Sequence, residues 1–251
     1  MTRRLLEICV DDIAGVHAAI AGGADRIELC AALALGGLTP SAGLVEAALN
    51  AARPAGVAVH AMVRPRAGDF RYDEAETALA MREAFALIAL GVDGLVFGAA
   101  RDGALDEPML AAWVSAVRAG GRPVSLTLHR AIDVTADPVA AVEVAATLGF
   151  DRILTSGGAT SAEEGAEIIA RMVSRAGSRI RIMAGAGVRP ANAAHLLAAT
   201  GVRELHGSAS VALPESDART AALGFDTPPR RHTDAATVRA LRAALDQGVS
   251  P

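Results

Sequence analysis

One stretch of the chain decides its fold: Val57-Ala-Val-His60-Ala-Met62-Val-Arg64-Pro65-Arg66-Ala-Gly68-Asp69-Phe70. Its first half alternates as a β-strand does, with one apolar and one functional face: Val57, Val59, Ala61 and Val63 against His60, Met62 and Arg64. Pro65 then ends the hydrogen-bonded ladder, and a polar loop follows. The pattern indicates a barrel strand whose interior face ends at a functional mouth. The alternative is a buried histidine bonded to backbone groups, beside an arginine in a local ion pair.

Seven further segments are predicted strands, and helix signals separate them. The eight strands cover residues 5–10, 25–30, 57–64, 93–98, 124–129, 151–156, 180–185 and 203–208. Asp73 with Glu76, for example, predicts a capping box at the start of a helix. Eight strand–helix units predict an α/β protein with a single (β/α)8 barrel of the TIM type. We expect one domain over residues 1–251, with a long polar connection at 209–231 before the last helix.

The composition bounds both fold and function. The 251 residues are 52% hydrophobic and have a mean hydropathy of +0.34, which suffices for one full-sized core. A net charge of −4 gives no electrostatic footprint for nucleic acid. The sequence has no apolar run that would span a bilayer and no cleavable leader. We therefore expect a cytoplasmic protein that binds neither nucleic acid nor a membrane.

Lysine and cysteine usage bound the chemistry. The sequence contains no lysine, so we exclude Schiff-base chemistry and pyridoxal phosphate (PLP) attachment for this chain acting alone, because both need a lysine amine. The two cysteines, Cys9 and Cys30, are expected to be reduced in the cytoplasm. On adjacent strands, about 4.8 Å apart, two thiolates at similar height can bind Cu(I), with Met62 or a histidine nearby. The alternative is two small, buried hydrophobic residues.

The functional site of such a barrel lies at the C-terminal ends of its strands. Alternation places many polar groups on the interior face: Glu7, Cys9, Glu28, Cys30, His60, Met62, Arg64, Thr127, His129, His206 and Ser208. Glu7 and Glu28 come from adjacent strands and are expected at matching levels. The pKa of one should then rise unless a cation, Arg64 or His206, intervenes. We predict an acid/base pair or a substrate clamp, with an ion-paired plug as the alternative.

Two further groups of residues follow the strands. His129, with Asp133 after it, ends the fifth strand and is a candidate proton carrier or, alternatively, a loop anchor. The predicted catalytic residues are Glu7, Glu28, Arg64, His129 and Asp133. Glycines and small hydroxyls after the last three strands are typical of a phosphate or oxyanion site. The predicted anion-binding residues are Ser156, Gly157, Gly185, Gly187 and Ser208.

Several segments closely resemble the CutC family: Leu6-Glu7-Ile8-Cys9, Arg26-Ile27-Glu28-Leu29-Cys30, Arg64-Pro65-Arg66-Ala67-Gly68-Asp69-Phe70, Thr127-Leu128-His129-Arg130-Ala131-Ile132-Asp133, Met183-Ala184-Gly185-Ala186-Gly187-Val188 and His206-Gly207-Ser208-Ala209. The resemblance runs in order from Leu5 to about Ser210. It implies a TIM-type barrel, a cytoplasmic location and a role in copper homeostasis, with copper binding proposed for some members. The chain departs from members that have more cysteines, since Val10 stands where a second cysteine can follow Cys9.

Three functional hypotheses remain open. The first is a Cu(I)-binding homeostasis protein that uses Cys9 and Cys30. The second is an enzyme on a small phosphorylated or carboxylated substrate, which makes a small anionic molecule the alternative partner to the copper ion. The third is a non-catalytic scaffold. We also expect a homo-oligomer, specifically a homodimer, because closed symmetric pairs are the commonest assembly.

Overall fold

Eight parallel strands close into a barrel within residues 3–213, 218–224 and 230–247, the parts of the chain that this computed structural model describes. The strands are β1 (Leu5–Val10), β2 (Arg26–Leu29), β3 (Ala58–Met62), β4 (Gly94–Phe97), β5 (Ser125–Leu128), β6 (Arg152–Thr155), β7 (Arg181–Ala184) and β8 (Glu204–Gly207). Each strand pairs with its neighbours in the sequence, and β8 pairs with β1 to close the ring. The predicted (β/α)8 barrel is confirmed.

Eight helices alternate with these strands in the described parts of the chain. They are α1 (Ile13–Gly22), α2 (Ala42–Ala52), α3 (Glu74–Leu90), α4 (Glu107–Ala119), α5 (Pro138–Leu148), α6 (Ala166–Ala176), α7 (Pro190–Thr200) and, at the end, α8 (Ala235–Gln247). The predicted capping box of Asp73 and Glu76 starts α3. Short 3-10 helices cover Leu33–Leu35, Arg53–Ala55 and Arg130–Val134. None of the described helices is long and apolar enough to cross a membrane.

Two short antiparallel strand pairs and a short helix lie outside the barrel sheet. Ala100–Arg101 and Ala104–Leu105 form a hairpin after β4. The predicted connection at 209–231 is partly outside the described residues, and its described part contains a short helix, Ala218–Ala222. Near its two ends, Ser210–Ala212 pairs antiparallel with Arg231–Thr233. This ribbon brings Arg231 back to the mouth of the barrel, beside the end of β8.

Strand alternation separates an apolar shell from a polar interior. On β1, Leu6, Ile8 and Val10 are at most 1% exposed and belong to the hydrophobic core. Glu7 and Cys9 alternate with them and are also buried. Because successive side chains of a strand point to opposite faces, the second set faces the barrel interior.

The strand register corrects one expectation. Glu7 pairs with Arg26 of β2 and with His206 of β8, whereas Glu28 pairs with Cys9. The two carboxylates therefore do not lie at matching levels, because Glu28 is one interior step nearer the mouth. The cause is the stagger between neighbouring strands that a closed barrel requires.

Candidate functional site

A cavity of about 480 Å³ opens at the C-terminal ends of the barrel strands. Its floor is formed by Cys9, Glu28 and His206, which the ends of β1, β2 and β8 bring together. Its walls include apolar side chains from the surrounding loops, Phe70 and Leu33 among them. The site is thus at the position expected for a barrel of this type.

The three floor residues are close enough to act on one bound group. The Cys9 Sγ, a ring nitrogen of His206 and a carboxylate oxygen of Glu28 all lie within 4.8 Å of one another. His206 Nε2 is 3.8 Å from Glu28 Oε2. Glu28 Oε1 has no hydrogen-bond partner in the described part of the chain. A buried carboxylate oxygen in this state can accept a ligand proton.

Glu7 orients His206 from below. His206 Nδ1 lies 2.7 Å from Glu7 Oε1, and Arg26 donates to the same carboxylate. Burial favours a raised pKa for Glu7, but Arg26 and then His206 outweigh burial and hold the pKa well below its usual value. An ionised Glu7 accepts the Nδ1 proton, which leaves Nε2 as the ring nitrogen that faces the cavity floor.

Glu28 and His206 both have pKa values shifted from their usual range. Burial raises the pKa of Glu28, and Glu7 adds to that rise against the opposing effect of His206. Burial lowers the pKa of His206, but Cys9, Glu28 and Glu7 outweigh it and raise the pKa well above its usual value. Shifts of this kind are typical of groups that transfer protons.

A buried ion ladder continues beneath Glu7. Arg26 donates to Glu204 at 2.9 Å, and Arg152 contacts the same Glu204 carboxylate. Sequence reasoning missed Arg26, Arg152 and Glu204 as interior residues. The available signal was parity, because each lies two residues before an interior position of its own strand.

Arg64 does not neutralise Glu7 or Glu28, contrary to one option raised by the sequence. Its guanidinium donates to the carbonyl oxygens of Leu35 (2.9 Å), Gly37 (3.1 Å) and Gly68 (2.8 Å). It stands over the Phe70 ring, with Cζ 5.3 Å from the centroid. Arg64 is 6% exposed and lines the cavity, and none of the ion pairs of the described residues includes it. It brings a buried positive charge to the cavity wall.

His129 lines the same wall in its neutral form. Burial, and then the charge of Arg64, lowers the pKa of His129 to about 3. Its Nδ1 accepts a hydrogen bond from the Ala131 N–H at 3.1 Å, so the proton of the neutral ring is on Nε2. That Nε2 has no partner within the described residues. His129 therefore offers the cavity a hydrogen-bond donor, whereas its predicted role in proton transfer stays a prediction.

Asp133 organises a loop outside the cavity. Its carboxylate accepts hydrogen bonds from Arg130 Nε, Ser156 N and Oγ, and Gly158 N. Thr155 also donates to it. This set of donors saturates the two oxygens and makes Asp133 a structural partner of the loop after β6.

The predicted anion-binding residues divide into two groups. Gly187 and Ser208 line the cavity. Ser156 belongs to the Asp133 network, and Gly157 lies against Gly165, where a Cβ would be 2.5 Å from the carbonyl oxygen. Gly185 packs against the floor residue His206 and against Leu154, because a Cβ there would be 3.3 Å from the His206 Cβ and 2.5 Å from the Leu154 Cδ1. Among the described residues, the loops after β7 and β8 therefore line the cavity, and Ser156 and Gly157 of the loop after β6 do not.

Three arginines that sequence reasoning missed also line the cavity: Arg130, Arg189 and Arg231. Arg130 and Arg189 follow the ends of β5 and β7, so their position after a strand was the available signal. Arg231 comes from the connection before α8 and donates to Ser210 Oγ at 2.9 Å. Ser210 Oγ in turn lies 2.9 Å from Ser208 Oγ.

Cys30 is separated from the floor. It is fully buried, packs with Met62 and Val96, and lies 3.6 Å from Glu28 through its Sγ. Burial, and then the charge of Glu28, raises the pKa of its thiol well above the usual value. Of the described residues that could hold a metal ion together, the cluster includes Cys9 but not Cys30. A role for Cys30 as a copper ligand stays a prediction.

Fold and site together define a class of protein: a (β/α)8 barrel with an ion-paired interior and an arginine-rich cavity above a thiol, an imidazole and a carboxyl group. Residues 4–211 match the CutC family, and the chain belongs to this family.

Relatives match along nearly the whole chain. The family protein CutC of Sinorhizobium medicae (strain WSM419) is 50% identical over 247 residues, which cover 98% of each chain. The family protein CutC of Caulobacter vibrioides (strain NA1000 / CB15N) is 49% identical over 248 residues, 96% of this chain and 98% of the relative. A crystal structure of CutC from Streptococcus agalactiae, which bears the name of a copper homeostasis protein, has 30% identity and a TM-score of 0.76. It covers 82% of this chain and 98% of its own.

Proposed function

We propose that the protein is an enzyme that binds a small phosphorylated or carboxylated molecule at the barrel mouth and transfers a proton with Glu28 and His206. The observation that carries this proposal is the pairing of an arginine-rich wall with a buried, unsatisfied carboxyl group in one cavity. In the described residues, the arginines that line it are Arg64, Arg130, Arg189 and Arg231. The Glu28 carboxyl at the floor keeps its Oε1 without a hydrogen-bond partner among the same residues.

The charges of the wall favour an anionic ligand. Arg64 is buried, and within the described residues its side chain donates only to carbonyl oxygens. A buried cation is costly unless an anion lies near it. Arg231 and Ser210 form a second group of donors beside Ser208, at the loop after β8. Loops in this position bind phosphate in many barrels. A phosphate or carboxylate at the rim would hold the rest of a small molecule above Glu28.

Thermal unfolding with inorganic phosphate tests this proposal. At ten times its dissociation constant, a ligand stabilises the folded state by about 1.4 kcal/mol, which raises the melting temperature of a protein of this size by about 3–6 °C. We expect this shift for the unmodified protein and less than half of it for Arg231→Gln. Arg82 of α3 lies outside the cavity, so Arg82→Gln is the matched control and should keep the shift. Equal shifts in both variants would contradict an anion site at Arg231.

A soft metal ion is the second candidate ligand, and a specific observation favours it. The donor atoms of Cys9, Glu28 and His206 lie within 4.8 Å of one another, and thiolate with imidazole suits Cu(I). The name of the S. agalactiae relative agrees with this candidate. In a Cu(I) titration of the same protein, Cys9→Ser should abolish uptake and Arg231→Gln should preserve it. Uptake that survives Cys9→Ser would exclude this metal site. The expected homodimer and the cytoplasmic location also stay predictions.

A further inference from the structure

We propose that Cys9 is the nucleophile of this site, that His206 accepts its proton, and that the sulfur adds to the carbonyl carbon of a small anion. This inference rests on the proposed function, because it takes its ligand from the anionic substrate that was proposed for the enzyme. It assigns an acid–imidazole–thiol arrangement, built from Glu7, His206 and Cys9, at the floor of the cavity.

The orientation of His206 carries the first step. Its Nδ1 is held at 2.7 Å by Glu7 Oε1, so Nε2 is the nitrogen left for a second partner. Cys9 lines the cavity, and its Sγ lies within 4.8 Å of a ring nitrogen of His206. A base that lies beside a nucleophile, and is itself oriented by a third group, is the general arrangement for activating a cysteine.

Glu7 is fixed more firmly than an ordinary ion-pair partner. It is fully buried, and Arg26 binds its carboxylate from the side opposite His206 in the strand register. Arg26 is itself held by Glu204 at 2.9 Å. Glu7 and Arg26 are therefore positioning residues, which act on the thiol through the imidazole ring. The side chains of the ladder are already fixed before a ligand enters, because Glu7, Arg26 and Glu204 each have at least two charged partners.

The cavity also holds groups that would receive the ligand. Glu28, 3% exposed, leaves its Oε1 without a partner in the described residues, and His129, also 3% exposed, does so with Nε2. Both line the cavity that contains Cys9. A buried acceptor and a buried donor, both unsatisfied, indicate that a polar molecule completes the site.

The chemical class of the ligand follows from the residues present. Thiolates attack carbon electrophiles readily, and the arginine wall selects an anion. The 251 residues include no lysine, so a carbonyl carbon cannot be captured here as an imine by the chain itself. In the proposed step His206 Nε2 holds the proton taken from the Cys9 thiol, and the S–C bond forms as the C=O π bond breaks. The proton then moves from His206 to the carbonyl oxygen, so the reaction adds S–H across C=O with no other reactant.

Alkylation of the metal-stripped protein tests the inference, with Cys30 as an internal control. The protein is treated with a copper chelator and exposed to iodoacetamide, and peptide mass spectrometry measures the rate at each cysteine. Cys9 should react at least about tenfold faster than Cys30, because His206 lies beside Cys9 in the cavity, whereas Cys30 is fully buried and its thiol pKa is raised. His206→Gln and Glu7→Gln should each slow Cys9 by about tenfold or more. His195→Gln, on the exposed face of α7, should leave the rate unchanged.

Cys30 also reports whether each variant remains folded. It is fully buried, so its alkylation stays slow only while the barrel is intact. Equal rates at Cys9 in the unmodified protein and in a folded His206→Gln variant would overturn the inference. Glyoxylate, a small anionic aldehyde, should protect Cys9 from iodoacetamide, and a lack of protection would overturn the carbonyl step.

A second reagent separates this inference from the proposed function. Iodoacetate is an anion of nearly the same size as neutral iodoacetamide. If the cavity selects anions, Cys9 should prefer iodoacetate more than free cysteine does, and Arg231→Gln should reduce that preference. Rapid reaction with both reagents and no preference would support the nucleophile while contradicting anion selection. If Cys9 reacts slowly with both reagents but still prefers iodoacetate, the result would support anion selection and contradict the role of Cys9 as the nucleophile.

Discussion

Replacing Arg26 with methionine tests the buried ion ladder that supports the site. Arg26 lies between the carboxylates of Glu7 and Glu204, and the side chains are 4%, 0% and 6% exposed. Methionine has a similar length but no charge, so Arg26→Met leaves two buried carboxylates facing each other. Glu7 keeps His206 and Glu204 keeps Arg152, but each carboxylate loses a buried cation. Removing one partner of a buried ion pair costs about 3–5 kcal/mol. We expect a loss of that size in the free energy of unfolding at pH 7.

The pH dependence gives the prediction a sign. In the unmodified protein the pKa of Glu7 is lowered on folding, so Glu7 stabilises the fold above its unfolded pKa and loses that effect as the pH falls through its folded pKa. In Arg26→Met, burial is no longer opposed by Arg26, and the pKa of Glu7 should rise above its unfolded value. The ionised form then destabilises the variant increasingly as the pH rises. The difference between the two proteins should therefore shrink from pH 7 to pH 5.

Urea unfolding at both pH values, followed by the fluorescence of the single, buried Trp113, measures this difference. Arg179→Met is the matched control, because Arg179 pairs with Glu143 at the surface, where the side chains are 52% and 33% exposed. It should cause little loss, since solvent screens exposed pairs. Adding Glu7→Gln to Arg26→Met should recover part of the loss at pH 7. A loss below about 1 kcal/mol, or one equal at pH 5 and pH 7, would refute the proposed role of the ladder.

Two further predictions concern the packing of a glycine against His129 and the titration of two buried histidines. Gly98→Ala should destabilise the protein by about 1–3 kcal/mol in thermal unfolding, because a Cβ at Gly98 would lie 2.5 Å from His129 Nδ1. Gly43→Ala, in α2 with nothing within 4 Å, should instead stabilise it by about 0.5–1 kcal/mol. In ¹⁵N NMR, the rings of His129 and His60 should stay neutral from pH 8 to pH 5, because both pKa values are lowered to about 3. Both should therefore favour unfolding as the pH falls below about 6.5, and a ring that titrates near that value would contradict the assignment.

The interior face of the site could be predicted from the sequence because strand alternation is local. A period of two residues placed Cys9, Glu28 and His206 inside the barrel without any knowledge of the other strands. The same rule placed Arg64 at the end of β3, and the structure shows all four at the cavity. Helix signals between the strands then fixed the number of units, which determines the fold.

The partners of these groups could not be predicted, because pairing depends on the stagger between strands. The stagger is a property of the closed barrel, and the sequence of a single strand does not determine it. Glu7 therefore meets Arg26 and His206, whereas Glu28 meets Cys9. The copper prediction assumed that Cys9 and Cys30 lie at similar height, and the same stagger places Cys30 one interior step above Cys9.

Loop residues were predicted unevenly for a different reason. Asp133 and Ser156 follow barrel strands, as functional residues do, yet they bind each other because the 3-10 helix Arg130–Val134 brings the carboxylate to the loop after β6. Arg231 is distant in sequence from every strand end and reaches the cavity through its antiparallel pairing with the segment after β8. Each outcome depends on contacts between distant segments, which local patterns do not contain.

The position of the ion ladder indicates what it is for. A core of apolar residues would stabilise the barrel at least as well, because buried ion pairs seldom add net stability over hydrophobic packing. The ladder nevertheless alternates in charge from Arg152 through Glu204 and Arg26 to Glu7, and Glu7 binds the ring nitrogen of His206 that faces away from the cavity floor. Since stability alone does not require these charges, their alignment on a single imidazole is best explained by the need to hold that ring in one orientation. If the ladder were only a plug, the chemistry of Cys9 would not change when Glu7 loses its charge.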